Sequence, residues 1–261
     1  MAKIIKKSTH LEETYYAMKQ EQADKTTRAV KTFSKIAFIF FMVYIAASMA
    51  NNSLSTIFMP LTICSGSVLA IVLACLNTHI PKHANSNILI SGITGENVAS
   101  ETLASLPDNY TIFQNAIIPY DGKTSEIDNI VVGRSGIFIV EIKNHTGNII
   151  GDLEDTYWTQ HKIGRGGTPY TKEMYNPTKQ VGTHIYRLAN YLRQNGIDTY
   201  VEGMVYFVNP SCVVRISGNS MISVYSNSDC GENRLCSHIM HGSHSLDSKS
   251  IDHICKLIHQ L

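Results

Sequence analysis

A short hairpin-like segment in the middle of the chain constrains the fold more than any other feature. Residues 126–144 read EIDNIVVGRSGIFIVEIKN, and two apolar runs, 127–132 and 137–142, flank the turn-like tetrapeptide GRSG. A two-residue loop of this kind is typical of an antiparallel β-hairpin. The pattern therefore predicts two paired strands joined through Arg134 and Ser135.

The register of this hairpin predicts a cluster of charged side chains. Counting back from the turn sets Asp128 opposite Glu141, and the two-residue period of a strand puts Lys143 on the same face. Two carboxylates and an ammonium on an otherwise apolar face are costly to bury without a function. Carboxylates are ligands for Mg²⁺ or Mn²⁺, and a lysine can position a water or offset charge on a phosphate. The alternative is an ordinary ion pair at a strand end.

The N-terminal third of the chain predicts a membrane anchor. Residues 1–35 have the composition of a polar, helical cytosolic leader, and no charged residue lies between Lys35 and Lys82. This uncharged stretch is too long for one span and fits two transmembrane helices, at about 36–50 and 57–76, within residues 36–80. The basic flank predicts that both termini are cytosolic. A buried hairpin of a soluble protein is the alternative.

The charge distribution limits the ways in which this chain could bind nucleic acid. The formal net charge is +1, but residues 1–35 hold eight Lys and Arg against four Asp and Glu, which leaves 14 against 17 in the remainder. A broad, non-specific nucleic-acid-binding surface is therefore excluded. Any contact with nucleic acid must come from local patches, for which the candidates are Lys162, Arg165, Lys172 and Lys179.

Residues 81–205 predict alternating helices and strands around the hairpin. After a linker at 81–90, a helix at 97–106 is entered through Thr94 or Gly95, with Glu96 in its first turn, and a strand follows at 110–118. A further short strand is expected at 147–151, with Trp158 as a core residue. Asn176 and a following proline predict the start of a helix that runs to residue 195, with Gln180 in its first turn.

The C-terminal part predicts elements that complete the same domain. Strands are expected at 200–209 and 221–226, and a closing helix at 247–261. A cytosolic location predicts that the cysteines of this part are reduced. The group Cys230, Cys236, His238, His241 and His244 could in principle bind zinc, but its spacing is not that of a zinc knuckle, and a polar loop is the alternative.

Several of these residues, taken in order, resemble a known family. Gly95-Glu96, Asp128, the run GIFIVEIKN at 136–144, and Asn176-Pro177 with Gln180 are similar in type and spacing to the nuclease-related domain (NERD) family. Gly147 and Trp158 also match. This family is placed within the PD-(D/E)xK nuclease superfamily, and the resemblance covers about residues 91–205.

The resemblance implies both a fold and a site. The expected fold is α/β, with a restriction-endonuclease-like mixed central sheet flanked by helices, preceded here by the transmembrane hairpin and completed by residues 206–261. The implied metal ligands are Asp128, Glu141 and the helix-borne Glu96. Lys143 is implied as the catalytic lysine, and Gln180 as a residue that orients water or phosphate.

Together, the residues and the resemblance predict a function at a membrane. The expected activity is Mg²⁺- or Mn²⁺-dependent hydrolysis of phosphodiester bonds, in DNA rather than RNA. The expected location is a bacterial inner membrane, with residues 36–76 in the lipid bilayer and the nuclease-like domain in the cytosol. The alternative is a catalytically silent nucleic-acid-binding or scaffold module at the membrane.

Overall fold

The computed structural model describes residues 1–7, 10–49, 59, 84–164 and 166–261. The helices and strands within these ranges follow in the order β1 Lys3–Lys6, α1 His10–Met49, α2 Ala84–Ala104, β2 Thr111–Tyr120, β3 Lys123–Gly133, β4 Gly136–Lys143, β5 Gly147–Asp152, β6 Tyr157–Ile163, β7 Pro169–Tyr175, α3 Pro177–Gln194, β8 Val201–Phe207, β9 Cys212–Ser217, β10 Ser223–Ser226, α4 Gly231–Met240 and α5 Ser248–His259. The chain divides into two compact units, one of His10–Ile90 and one of Met1–Thr9 with Ser91–Leu261. The mixed α/β architecture predicted from the sequence is confirmed.

The smaller unit contains one candidate membrane helix. By length and composition, His10–Ala46 is the one helix in the described part of the chain that could cross a bilayer, and it includes most of the first predicted span. The predicted two-span hairpin is therefore not supported by the described residues, which contain one candidate helix. The second predicted span, 57–76, lies outside the described residues apart from Met59.

The larger unit is built on a six-stranded mixed sheet in the order β1-β2-β3-β4-β8-β10. The predicted hairpin forms its centre, since β3 and β4 pair antiparallel with Gly133 opposite Gly136. Apolar side chains alternate between the two faces of these strands, so the sheet has a buried core on each side. Helices α2 and α4 pack on one face, and α3 and α5 pack on the other.

A second sheet covers part of the face that carries α3. It has four strands in the order β7-β6-β5-β9, whereas the sequence predicted a single central sheet. Trp158 on β6 is fully buried in the core between the sheets, as predicted. A side chain at Gly151 would collide with the Trp158 ring, because an added Cβ would lie 2.2 Å from its nearest atom.

The helix that carries Glu96 begins earlier than predicted. Helix α2 starts at Ala84 and not near Gly95, so the described part of the predicted linker is helical and Glu96 lies in mid-helix. The prediction that Glu96 lies in the first turn of this helix is therefore wrong. Gly92 and Gly95 do not interrupt the helix, because packing of its later turns against the sheet stabilises it.

The sequence did not predict the inner strand β6, on which Trp158 lies, and it also missed three edge strands. Strand β1 adds four residues of the supposed leader to the edge of the main sheet, parallel to β2. Strands β7 and β9 form the two edges of the second sheet. All three are short or polar edge strands, which carry little of the apolar alternation by which strands are recognised.

The cysteine- and histidine-rich segment is a helix and not the polar loop that was expected. Helix α4 buries Leu235, Cys236 and Ile239 against the sheet. His238 contacts the Tyr225 hydroxyl through Nδ1 and Glu202 through Nε2, which lies 2.6 Å from Oε1. The four cysteines of the domain, Cys212, Cys230, Cys236 and Cys255, are free thiols.

Candidate functional site

The hairpin brings Asp128 and Glu141 together at the end of β4. Ladder pairing runs from Gly133–Gly136 to Asn129–Val140, so the next residues along the two strands are Asp128 and Glu141, as the sequence predicted. Regular backbone pairing stops there. Beyond this point, the Asp128 carboxylate accepts a hydrogen bond from the Ile142 N–H at 2.7 Å.

Glu141 is the most buried carboxylate of the cluster. It is 2% exposed, and its Oε1 accepts a hydrogen bond from Lys143 Nζ at 2.5 Å. Its Oε2 is buried and has no hydrogen bond within the described part of the chain, although His184 Nε2 lies 3.5 Å away. A buried carboxylate oxygen without a donor is costly, so Glu141 Oε2 is a candidate ligand atom.

Lys143 is held in place from two directions. Besides Glu141, its ammonium donates to Gln180 Oε1 at 3.1 Å. Gln180 lies in the first turn of α3, where the Asn176 side chain accepts a hydrogen bond from the Thr178 N–H. The predicted helix start therefore fixes Gln180 against the strand that carries Lys143. A lysine restrained in this way is a fixed positive charge and not a freely moving surface group.

His184 belongs to the cluster but was not predicted from the sequence. It is buried on α3 one turn after Gln180, and the two side chains approach to 3.5 Å. Its Nδ1 is also buried without a hydrogen bond among the described residues. In the sequence, its position four residues after Gln180 indicates that the two side chains share one helical face.

Glu96 approaches the site from the opposite face of the sheet. Helix α2 packs closely at Gly95, where an added Cβ would lie only 2.7 Å from Asn144 Cβ. This glycine therefore lets the helix carry Glu96 close to the end of β4. Glu96 and Asp128 line one small cavity, and the charge of Glu96 contributes to raising the pKa of Asp128.

The two hairpin carboxylates have opposite electrostatic character. Burial, together with the Glu141 charge, raises the pKa of Asp128 to about 8, despite the opposing effect of Lys143. Burial would also raise the pKa of Glu141, but His184 and Lys143 outweigh it and hold that pKa below its usual value. Two neighbouring carboxylates with separated pKa values are typical of functional sites.

The backbone opposite Asp128 is strained. Asn115 on β2 has a φ of 56°, in the left-handed region, and the pairing of β2 with β3 is interrupted at this residue. Its side-chain amide donates a hydrogen bond to the Lys7 carbonyl at 3.2 Å. Such conformations in non-glycine residues occur mainly in turns and at functional sites.

The side chains of the site have the oxygen atoms that a hard divalent cation prefers, but these atoms do not converge on one point. Asp128, Glu141 and Glu96 offer carboxylate oxygens, and Glu141 Oε2 lacks a hydrogen-bond donor in the described structure. No three His, Cys, Asp or Glu side chains in the described ranges converge closely enough to hold a metal ion. Lys143 and His184 instead contact Glu141. A bound cation would require at least one of these carboxylates to rotate.

Part of the predicted basic patch lies beside the same strand end. Burial lowers the pKa of His145 to about 4, and the charges of Lys143, Lys162 and Lys172 contribute to this effect. His145 is therefore neutral at physiological pH, and these three lysines lie close enough to influence it. Lys179 is in the first turn of α3, whereas Arg165 lies outside the described residues.

Comparison with known proteins bears on the residues around this site. The chain is 35% identical over 95 residues to an uncharacterized protein of Bacillus anthracis, a match that covers 36% of this chain and 43% of that relative. The chain thus aligns with less than half the length of the curated relative. No solved structure matches. The family model described as "nuclease-related domain" (NERD) matches residues 91–208, and this matching region is called the nuclease-related domain.

Proposed function

We propose that this protein is a membrane-anchored, divalent-metal-dependent nuclease that hydrolyses phosphodiester bonds, in DNA in preference to RNA. One observation carries the proposal. The hairpin register brings Asp128 and Glu141 together beside a restrained Lys143, inside the residues that match the nuclease-related domain. Paired carboxylates with an adjacent lysine are the groups that metal-assisted phosphodiester hydrolysis needs.

Each residue of the site has a role in this proposal. Asp128, Glu141 and Glu96 would hold Mg²⁺ or Mn²⁺, which when bound neutralises phosphate charge and makes a bound water more acidic. Lys143 offsets the charge that develops on the phosphate. Gln180 keeps the ammonium in position through the hydrogen bond to its Oε1. These roles follow the family resemblance and agree with the contacts of the side chains.

Lysines near the strand end support binding of a polyanion. Lys162 and Lys172 influence His145, two residues beyond Lys143 in the chain. Lysines contribute to nucleic-acid binding through the phosphate backbone, which does not by itself distinguish DNA from RNA. A local patch of this size is consistent with a protein whose overall charge is near zero.

The membrane part of the proposal gains support from strand β1. Residues before α1 pair with β2, which follows α1 in the chain, so β1 and the nuclease-related domain lie on the same side of any membrane. If α1 crosses a bilayer, the chain must cross an even number of times before β2. The apolar sequence 57–76 is the candidate for the return span. The basic residues before residue 36 then favour the cytosolic side of a bacterial inner membrane for both termini.

The experiment is a cleavage assay on the full chain purified in detergent. Single-stranded DNA, duplex DNA and RNA are incubated with Mg²⁺, Mn²⁺ or a chelator. We expect metal-dependent cleavage, faster on DNA, that falls by roughly 10²-fold or more in Asp128→Asn and Lys143→Ala. The matched control is Lys123→Ala, because Lys123 also follows an acidic residue by two positions but is exposed and far along β3 from the site. Metal-independent cleavage, or equal loss in the control, would contradict the proposal.

A catalytically silent nucleic-acid-binding module is the second candidate. The observation that favours it is the present arrangement of Glu141, whose Oε1 is engaged by Lys143 while no three ligand side chains converge in the described residues. The same assay separates the two functions. A silent module would bind DNA without cleaving it in any metal, and Asp128→Asn would leave the binding constant unchanged.

A further inference from the structure

Strand β1 brings residues from the extreme N-terminus to the candidate site. It is an edge strand of four residues, and Lys6 on it is aligned with Gln114 of β2. Backbone hydrogen bonds from Lys3 N–H to the Tyr110 carbonyl (3.0 Å) and from Lys7 N–H to the Gln114 carbonyl (3.3 Å) extend the pairing. The strand ends where β2 is distorted at Asn115, whose side chain donates to the Lys7 carbonyl.

Lys6 lines the same small cavity as two of the candidate metal ligands. The other lining residues are polar or acidic, and the cavity walls include Glu96, Gln114, Asn115, Asp128 and Asn129. Lys6 is the cationic residue of this lining. It is exposed on the strand, whereas Gln114, Asn115 and Asn129 are buried. Its long side chain can therefore leave the cavity for water at little cost.

The charges of the site divide into two groups. Lys143 is engaged by Glu141 and Gln180 at the end of β4. The Glu96 and Asp128 carboxylates share the cavity with Lys6. An ammonium beside these carboxyl groups would repel a divalent cation at the same place.

We propose that Lys6 is a resident counter-cation of the candidate metal site, which a divalent ion must displace in order to bind between Glu96 and Asp128. This inference rests on the proposed function, because it assumes that these carboxylates bind metal. It adds that the segment preceding helix α1 sets the metal affinity of the nuclease-related domain. Displacement of Lys6 from the cavity, or release of the short strand β1, strengthens metal binding.

The test measures Mn²⁺ binding and not cleavage. Metal-free full chain in detergent is titrated with Mn²⁺ by calorimetry at low ionic strength. We expect Lys6→Met, which keeps an apolar stem of similar length but removes the charge, to tighten Mn²⁺ binding roughly three- to tenfold. The gain should shrink as salt is raised, since added ions screen an exposed lysine. Lys6→Arg keeps the charge and should remain within about twofold of the wild type.

Lys3→Met is the matched control, because Lys3 is exposed on the same strand but does not line the cavity. An equal gain in Lys3→Met would mean that net charge alone matters, and it would overturn the inference. Unchanged or weaker Mn²⁺ binding in Lys6→Met would also overturn it, while leaving the proposed nuclease intact. If no variant and no wild-type protein binds Mn²⁺, the inference fails together with the metal dependence of the proposed function.

Discussion

Asp128 is the residue at which function and stability oppose each other most clearly. Burial and the Glu141 charge raise its pKa to about 8, so the folded protein favours the protonated carboxyl at neutral pH. If Asp128 binds a metal ion as proposed, its carboxyl group must be ionised, and binding would release a proton from this group. A site with this property gives up stability in the metal-free state in return for ligand binding.

The pH dependence of stability provides a test at the residue scale. Between pH 4 and 8 the folded state binds more protons at Asp128 than the unfolded state, whose pKa is near 4, so the metal-free protein loses stability as pH rises through this window. We expect a loss on the order of 2–5 kcal/mol between these limits. Asp128→Asn removes this group from the titration and should be more stable than the wild type at pH 8 but not at pH 4.

Thermal unfolding in chelator at pH 4, 6 and 8 measures this difference. Lys123→Ala, with its exposed side chain, serves as the control that should follow the wild type. A structural ion pair gives the opposite result, because Asp128→Asn would then be less stable than the wild type by about 1 kcal/mol or more at pH 8.

Among the secondary-structure elements, helix α3 uses one face for core packing and its N-terminal end for contacts with the candidate site. Val181, Leu188 and Leu192 lie fully buried on the face that packs against the sheet. Gln180 and His184 lie at its N-terminal end and contact Lys143 and Glu141. One amphipathic helix therefore both closes the core and positions the lysine of the candidate site.

Two substitutions in this helix should have different effects. Leu188→Ala opens a cavity in the core and should cost about 2–5 kcal/mol in the free energy of unfolding. Gln180→Ala removes the hydrogen bond to Lys143 and should change stability by less than about 1 kcal/mol while lowering kcat. Denaturant unfolding and initial rates of DNA cleavage measure the two effects. If both variants lose stability alike, Gln180 is a structural residue and its assigned role is wrong.

Strand β1 determines which part of the chain must be studied. A fragment beginning near residue 85 would contain the nuclease-related domain but would lack β1 and Lys6. Its sheet would then expose the edge of β2, which is paired in the full chain. Measurements of metal affinity and stability therefore require the full chain.

At the scale of the whole molecule, β1 also constrains the membrane topology. Because β1 pairs with β2, the residues before α1 and residues 91–208 would lie on the same side of any membrane that α1 crosses. The smaller unit, His10–Ile90, contains the candidate span between them. A single crossing is incompatible with this pairing.

Cysteine-accessibility labelling in intact cells tests this topology. A cysteine at Ser53, between the two apolar runs of the sequence, should react with an impermeant reagent added outside, and a cysteine at Asn87 should not. The native cysteines are replaced first, so that only the introduced thiol reports. Labelling at Asn87 from outside would contradict the even number of crossings. Labelling at neither position before lysis would indicate a soluble hairpin.

The parts of the site that are local in the chain follow from the amino-acid sequence. Alternation and a two-residue turn fixed the register of β3 and β4, and with it the approach of Asp128 and Glu141. An asparagine followed by proline marked the start of α3 and placed Gln180 in its first turn. These features depend on residues within about twenty positions of one another, where backbone geometry leaves few alternatives.

The distant residues that join this cluster depend on long-range packing. Glu96 reaches it from mid-helix on the opposite face, His184 through the orientation of α3, and Lys6 through a strand paired with residues more than a hundred positions later. A strand of four residues carries too little periodicity to be recognised in a sequence. Its pairing depends on long-range contacts that form only when the sheet is assembled. The entropy cost of closing so long a loop is offset only by the burial and hydrogen bonding of the completed fold.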